Sequence, residues 1–161
     1  MARQFSMPAQ IPPVSLLPPA TDAAGRTGSY RSLKNALKAY IVARVNQGNA
    51  AQVTFTPLQA QDVAGTGAKA IAAVPIWLDA DTSVSDALVV QAAAASLQTS
   101  AATKDKIVVF EITPEQALDV ANGFDCIALQ TSASNVANIT TAELFVLGSY
   151  QQATPPSTYS N

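Results

Sequence analysis

Hydrophobic and polar residues alternate over several short segments of the chain. Residues 37–45 place Leu, Ala, Ile, Ala and Val at the odd positions, while Lys38 and Arg44 are among the even ones. Residues 52–59 show the same period of two, which is typical of a half-buried strand. Residues 107–112, Ile-Val-Val-Phe-Glu-Ile, have the β-branched and aromatic composition that strands favour. Further strands are predicted at residues 70–78, with a bend at Pro75, at 126–130 and at 143–147.

Turns and one helix separate these segments. Glycine-containing turns are predicted at Gln47-Gly48-Asn49 and Gly65-Thr66-Gly67. A helix is predicted from residue 114 to about residue 121, because Thr113-Pro114-Glu115-Gln116 has the pattern of a capping box with proline at the first helical position. Residues 87–97 contain four consecutive alanines, and two interpretations stay open there: a helix, which local propensity favours, and a small-residue strand packed against a neighbour.

Short strands, regular turns and a single short helix predict an all-β protein. We expect an antiparallel β-sandwich with jelly-roll-like connectivity, since the strands follow one another too closely for βαβ crossovers. A length of 161 residues fits one domain plus tails. The predicted division is an extended, proline-rich N-terminal arm and hinge at residues 1–28, the sandwich body at 29–150 and a polar C-terminal tail at 151–161.

The N-terminal arm combines prolines with apolar side chains. Five of the ten prolines fall within residues 1–27, and proline disfavours both a helix and a central strand. The segment is also more apolar than an ordinary disordered tail. We therefore expect it to lie on a neighbouring subunit and to contact it through Phe5, Ile11, Val14, Leu16 and Leu17, with Arg26 of the hinge beside them.

The chain carries little charge, and its charges are unevenly distributed. Charged residues make up 12%, about half of the usual share of roughly 25%, which fits either a surface covered by other subunits or a neutral polar surface. Residues 1–61 contain six basic residues and one acid (+5), and residues 62–161 contain three lysines and ten acids (−7). This asymmetry favours either head-to-tail contact between copies or pairing of the halves within one fold. It lacks the dense basic patch that nucleic-acid binding needs, so no such partner is predicted.

The residues that usually carry catalysis are scarce. There is no histidine, the commonest general base and metal ligand, and Cys126, the only cysteine, lies in an apolar run that predicts a buried, inert thiol. Asp79, Asp81 and Asp86 form the densest acidic cluster, but the glycine and final glutamate of an EF-hand loop are missing, which favours a solvated loop. We predict no enzymatic activity, no cofactor and no metal site.

Aromatic residues and targeting signals add little. Trp77, Tyr30, Tyr40 and Phe124 allow a sugar-binding site on a lectin-like sandwich, although core packing explains aromatic residues more often. No signal peptide is predicted after Met1, and no segment approaches the ~20 apolar residues of a membrane span. We expect synthesis in a bacterial cytoplasm and no membrane partner.

Several segments resemble a class of small proteins encoded among the head genes of tailed bacteriophages and prophages. The segments are residues 22–30 (DAAGRTGSY), 32–35 (SLKN), 45–51 (VNQGNAA), 106–111 (KIVVFE), 122–127 (NGFDCI) and 150–157 (YQQATPPS). The resemblance runs from about residue 21 to residue 157, so residues 1–20 lie outside it. It implies a virion protein with a jelly-roll-like body that decorates, or cements, the outside of the capsid. Its partners would be the major capsid protein and other copies of itself.

Two other functions remain open. One is a head–tail connector or tail component, which would be present in fewer copies than a decoration protein. The other is a carbohydrate-binding module for host recognition, in which Trp77 would contact the glycan.

Overall fold

The computed structural model describes residues 5–150 and 156–160. Two single-turn helices, α1 (Met7–Gln10) and α2 (Pro114–Ala117), and a 3-10 turn (Val120–Asn122) accompany the strands in these residues. None of these helices is long and apolar enough to cross a membrane. The strands are β1 (Val14–Thr21), β2 (Arg26–Thr27), β3 (Arg31–Ser32), β4 (Ala36–Gln47), β5 (Thr54–Ala60), β6 (Lys69–Ala70), β7 (Val74–Asp79), β8 (Val89–Ala94), β9 (Leu97–Gln98), β10 (Asp105–Ile112), β11 (Cys126–Thr131) and β12 (Asn138–Gly148).

The strands of the described residues form two antiparallel sheets of six strands each. The first sheet has the order β1-β12-β4-β10-β7-β8. In the second, β11 lies between β5 and the short strands β2 and β3, and β5 also pairs with β6 and β9. The chain alternates between the sheets, and the orders β1-β12-β4-β10 and β2/β3-β11-β5-β6/β9 are those of a jelly roll extended by the β7–β8 hairpin. The predicted all-β sandwich is confirmed.

The core lies between the sheets, and β4 shows why the alternating pattern forms it. Ala39, Ile41, Ala43 and Val45 are buried, while the residues between them face outward, as predicted; Leu37, the first residue of the predicted pattern, is instead 55% exposed. β4 is central in the first sheet because β10 and β12 pair with it on either side over most of its length. From the second sheet, Phe55 of β5 enters the same core.

The N-terminal segment is partly built into the sandwich. β1 is an edge strand of the first sheet and pairs with β12. A bulge between Ser15 and Leu17 lets two consecutive side chains turn inward, and Leu16 and Leu17 are 0% and 2% exposed. Gly28 allows the close approach, since a Cβ there would lie 2.1 Å from the Leu16 carbonyl oxygen. The structure therefore differs from the predicted division at residue 28, because an edge strand tolerates prolines.

The region between β6 and β9 settles the open interpretation of residues 87–97. β8 is a strand and pairs with β7, so pairing overrides the local helix propensity of the alanines. The single bent strand predicted at residues 70–78 is instead two strands, since the chain crosses from β6 in the second sheet to β7 in the first. Pro75 lies at the β-bulge in the pairing of β7 with β8.

The predicted helix is shorter than expected. Pro114 does occupy its first turn, but the Thr113 side chain makes no capping hydrogen bond, so the predicted capping box does not form. The helix ends at Ala117 because Leu118 is extended and buries its side chain in the core. Gly123 follows the 3-10 turn with a φ of 79° and ends it as a left-handed cap.

The basic and acidic halves of the sequence are interleaved in the fold. β4, from the basic half, lies between β10 and β12 from the acidic half, and Lys38 forms an ion pair with Glu111 across β4 and β10. The two halves therefore pair within one fold, which was one of the two interpretations of the sequence.

Candidate functional site

The structure separates the residues that were predicted to contact a partner subunit. Leu16 and Leu17 belong to the core of the chain itself, and Val14 is half-buried and packs against that core. Ile11 is half-buried, whereas Phe5 is 68% exposed. The side chains of Leu16 and Leu17 thus serve internal packing, and Phe5 is the most accessible of the five.

Arg26, the sixth predicted contact, acts as an internal clamp. Its Nη1 donates to the Pro18 carbonyl (2.8 Å), and its Nη2 donates to the carbonyl and the hydroxyl of Thr140 (2.8 Å each). Its Nε donates to Asp22 (3.2 Å), whose fully buried carboxylate also accepts from the Thr131 hydroxyl (2.7 Å). The guanidinium therefore ties β1 to β12 and, through Asp22, to β11 of the other sheet.

A groove of about 690 Å³ opens where the two described ends of the chain meet. We call it the terminal groove. The C-terminal segment that forms one of its walls is held to β3 by two contacts. The Ser32 N–H donates to the Thr158 carbonyl (2.8 Å), and the Arg31 guanidinium lies 4.0 Å from the centre of the Tyr159 ring. The walls come from the N-terminal segment (Phe5, Gln10, Pro12, Val14), the end of β12 (Val146, Leu147, Tyr150) and the C-terminal segment (Pro156, Ser157, Thr158, Tyr159).

The outward side of the first sheet is unusually apolar for a face that carries no covering layer in the described residues. Strand register places Val42, Val109, Trp77 and Val90 side by side across β4, β10, β7 and β8. We call this surface the outer face. Its members are Tyr40, Val42, Trp77, Val90, Ile107, Val109 and Phe145. An antiparallel sheet with one face in water normally alternates apolar inward with polar outward, so this face is better suited to contact than to solvation.

Charged groups border the outer face. Lys38 donates to Glu111, and this hydrogen bond raises the pKa of Lys38 and lowers the pKa of Glu111. The nearby Trp77 side chain also contributes to the lowered pKa of Glu111. Glu143 lies opposite Val42 on β12 and is exposed. The outer face is thus an apolar centre whose border carries the Lys38–Glu111 pair, Glu143 and Arg44, which lies opposite Ile107; such a polar rim around an apolar centre is usual in a protein–protein interface.

The aromatic residues considered for a sugar site are not brought together. Trp77 and Tyr40 share the outer face, separated by β10. Tyr30 instead packs at Gly65, and the Phe124 ring lies 4.1 Å below the Lys69 ammonium. Of the four aromatic residues, therefore, only Trp77 and Tyr40 are placed where they could contact the same ligand.

The acidic loop after β7 is organised by hydrogen bonds and an ion pair. Lys104 lies 2.8 Å from Asp81, and this contact, together with the Ser83 hydroxyl, lowers the pKa of Asp81 to about 2. Asp79 is buried and accepts from the Asp81 N–H (3.1 Å). No cluster of three potential metal ligands among His, Cys, Asp and Glu occurs in the part of the chain that the structure describes.

Lys106 is a buried lysine that the sequence analysis missed. It is 1% exposed, and its ammonium donates to the Gln47 side-chain oxygen (2.8 Å) and to the Ala102 carbonyl. Thr99, also buried, donates to the same Gln47 oxygen (2.9 Å). Burial lowers the pKa of Lys106. These bonds attach the loop before β10 to the end of β4, and the inward position of residue 106 in the strand alternation was the available signal.

Cys126 is buried at the start of β11, as predicted. Burial, with the neighbouring Asp125 carboxylate that accepts from its thiol (3.3 Å), raises the pKa of Cys126 to about 12. At neutral pH the thiol is therefore protonated and shielded.

We expect the thiol of the folded protein to react with Ellman's reagent at pH 8 at least about a hundredfold more slowly than in denaturant, because only an exposed thiolate is nucleophilic. The denatured protein supplies the control rate, measured by absorbance. Equal rates in both conditions would contradict the burial of Cys126.

Comparison of the chain with protein-family models, with curated proteins and with solved structures finds no match. The functional argument therefore depends on the surfaces of the chain itself.

Proposed function

We propose that the chain is a structural protein of a tailed-phage head, which binds the outside of the capsid and stabilises contacts between major capsid subunits. The observation that carries the proposal is the outer face, an apolar surface across five adjacent strands of a rigid sandwich. The resemblance of residues 21–157 to phage head proteins supports the same function, as does a jelly roll, a fold that virion proteins share with lectins.

The size of the outer face sets the expected strength of binding. From the spacing between strands and the rise per residue, it measures about 20 Å by 14 Å. This is smaller than the roughly 800 Å² per partner of a standard interface. One copy should therefore bind weakly through this face alone. Phe5 and Ile11, near the terminal groove, add a second apolar contact that can raise the affinity.

The proposal is tested by adding the purified protein to phage heads assembled without it and measuring the bound fraction by co-sedimentation. We expect wild-type protein to bind in a copy number that matches the capsid subunits. Val109→Lys should weaken binding by at least about tenfold, because it places a charge at the centre of the outer face. Val120→Lys, in the exposed 3-10 turn, is the matched control and should bind normally.

Two results would contradict the proposal. Wild-type protein that stays in the supernatant rules out capsid decoration. Binding in the small copy number of a single ring would indicate the connector function instead. Circular dichroism of both valine variants shows whether a loss of binding reflects the surface rather than the fold.

Carbohydrate binding is a second candidate, favoured by the shared position of Trp77 and Tyr40 on the outer face with Glu111 between their strands. Aromatic rings flanked by a carboxylate can stack on a sugar and accept from its hydroxyls. The intervening residues Val42 and Val109 are apolar, which favours a protein partner. Glycan binding that is lost in Trp77→Ala, without binding to heads, would select this second function.

A further inference from the structure

The first sheet has two edges, and they are built differently. β1 lies at one edge and β8 at the other. An edge strand presents backbone N–H and C=O groups that can pair with a further strand, so proteins usually protect such edges. The contrast between the two edges shows where this fold can accept another strand.

The β1 edge is protected. Pro18 and Pro19 provide no N–H for pairing. The Pro18 carbonyl already accepts from Arg26 (2.8 Å), and the Ser15 carbonyl accepts from Arg31 (3.2 Å). The Leu16 carbonyl accepts from the Ser29 N–H (3.2 Å). A strand from another molecule would have to displace these bonds and would meet the prolines.

The β8 edge lacks the prolines and the arginine contacts of the β1 edge, and the β-bulge in its pairing with β7 is its one irregularity. Residues 87–103 contain no charged residue and no proline. Val89 and Val90 are 59% and 60% exposed, and the neighbouring Leu88 is also exposed. Gln91 reaches back to the Val89 carbonyl (3.1 Å), and this flexible side chain can move aside for an incoming strand. No strand pairs with this side of β8 in the part of the chain that the structure describes.

We propose that two copies of the chain pair through β8, antiparallel and about a two-fold axis, so that the two first sheets become one continuous sheet. The β8 strand of a second copy fits this edge better than its β1 strand does, because the protections of β1 disfavour head-to-tail pairing of β8 with β1. In a two-fold arrangement, residue i of one β8 lies opposite residue j of the other and residue j opposite residue i, so only residues at the axis meet their own copies. Neither copy of β8 carries a charge, so no like charges would oppose each other in this pairing.

This pairing is independent of the proposed function, since it depends on the edge of the sheet and not on what the outer face binds. The pairing also gives the exposed side chains of Val89 and Val90 neighbours on the added strand. The expected assembly is a closed dimer, because both β8 edges are used once it forms.

The experiment measures the mass of the full chain by sedimentation equilibrium. Wild-type protein should have twice the monomer mass of 16.6 kDa. Val89→Lys and Ala93→Lys place a lysine on the pairing edge, where both residues are exposed, and each should weaken dimerisation by at least about tenfold. Val136→Lys, in the exposed loop before β12, is the matched control and should remain dimeric.

Hydrogen exchange provides a second measurement that does not depend on a variant. The amides of residues 88–94 should exchange more slowly in the dimer than in dilute, monomeric protein, while those of β1 should not change. A monomeric wild type at about 100 μM, a trimer or larger ring, or a dimer that both edge lysines leave intact would each overturn the proposal.

Discussion

Deletion of residues 2–20 is expected to abolish cooperative folding, whereas deletion of residues 2–11 should leave a folded sandwich. The longer deletion removes most of β1, including Leu16 and Leu17, which are 0% and 2% exposed. Truncating one such leucine to alanine costs about 2–5 kcal/mol. Loss of both, together with the pairing to β12, approaches the roughly 5–15 kcal/mol that holds a domain folded.

Far-UV circular dichroism and urea unfolding measure the effect. The shorter deletion, which removes Phe5, α1 and Ile11 but keeps β1, is the control and should retain a cooperative transition. A cooperative transition of wild-type stability after deletion of residues 2–20 would show that β1 is dispensable. The pair of deletions also separates folding from capsid binding, because only the shorter one leaves a protein whose binding to heads can be interpreted.

Arg26→Ala is expected to lower the free energy of unfolding by about 3 kcal/mol, the lower end of the range for breaking a buried ion pair. The substitution leaves the Asp22 carboxylate, which is fully buried, without its cation. It also removes the donors to Pro18 and Thr140 that join β1 to β12. Arg26→Lys should recover part of the loss, since lysine restores the charge but not the forked geometry.

Urea unfolding at neutral pH measures these differences. Arg44→Ala is the matched control: Arg44 is exposed on the outward side of β4, and its replacement should change stability by no more than about 0.5 kcal/mol. If Arg26→Ala proves as mild as Arg44→Ala while binding to heads is lost, Arg26 would be a partner contact, as its sequence suggested, and the clamp would contribute little.

Both predictions follow from a revised interpretation of the N-terminal arm. Prolines among apolar residues indicated a segment that needs a surface to lie on. For Leu16 and Leu17 that surface is the chain's own core, reached through a bulge in an edge strand. For Phe5, which remains exposed, a partner surface is still a proposal.

The candidate site could be predicted only in part. Low charge and the absence of histidine predicted contact surfaces rather than a catalytic centre. The outer face was not predicted, because Val42, Trp77 and Val109 come from three strands that are distant in sequence. Each strand shows apolar residues on both sides, which by itself fits a strand covered on both faces. Register alone shows that these residues form one surface.

The sequence by itself determined the strands whose pattern is local. The alternation at residues 37–45 and the β-branched residues 107–112 specify β4 and β10, because side-chain direction along a strand has a period of two whatever its neighbours are. Tertiary structure decided the rest. The alanines of residues 92–94 became a strand because β7 lies beside them, and the helix after Thr113 stopped because Leu118 enters the core. Pairing and burial join residues far apart in the chain, and their free energy exceeds the small local preferences that a sequence pattern reveals.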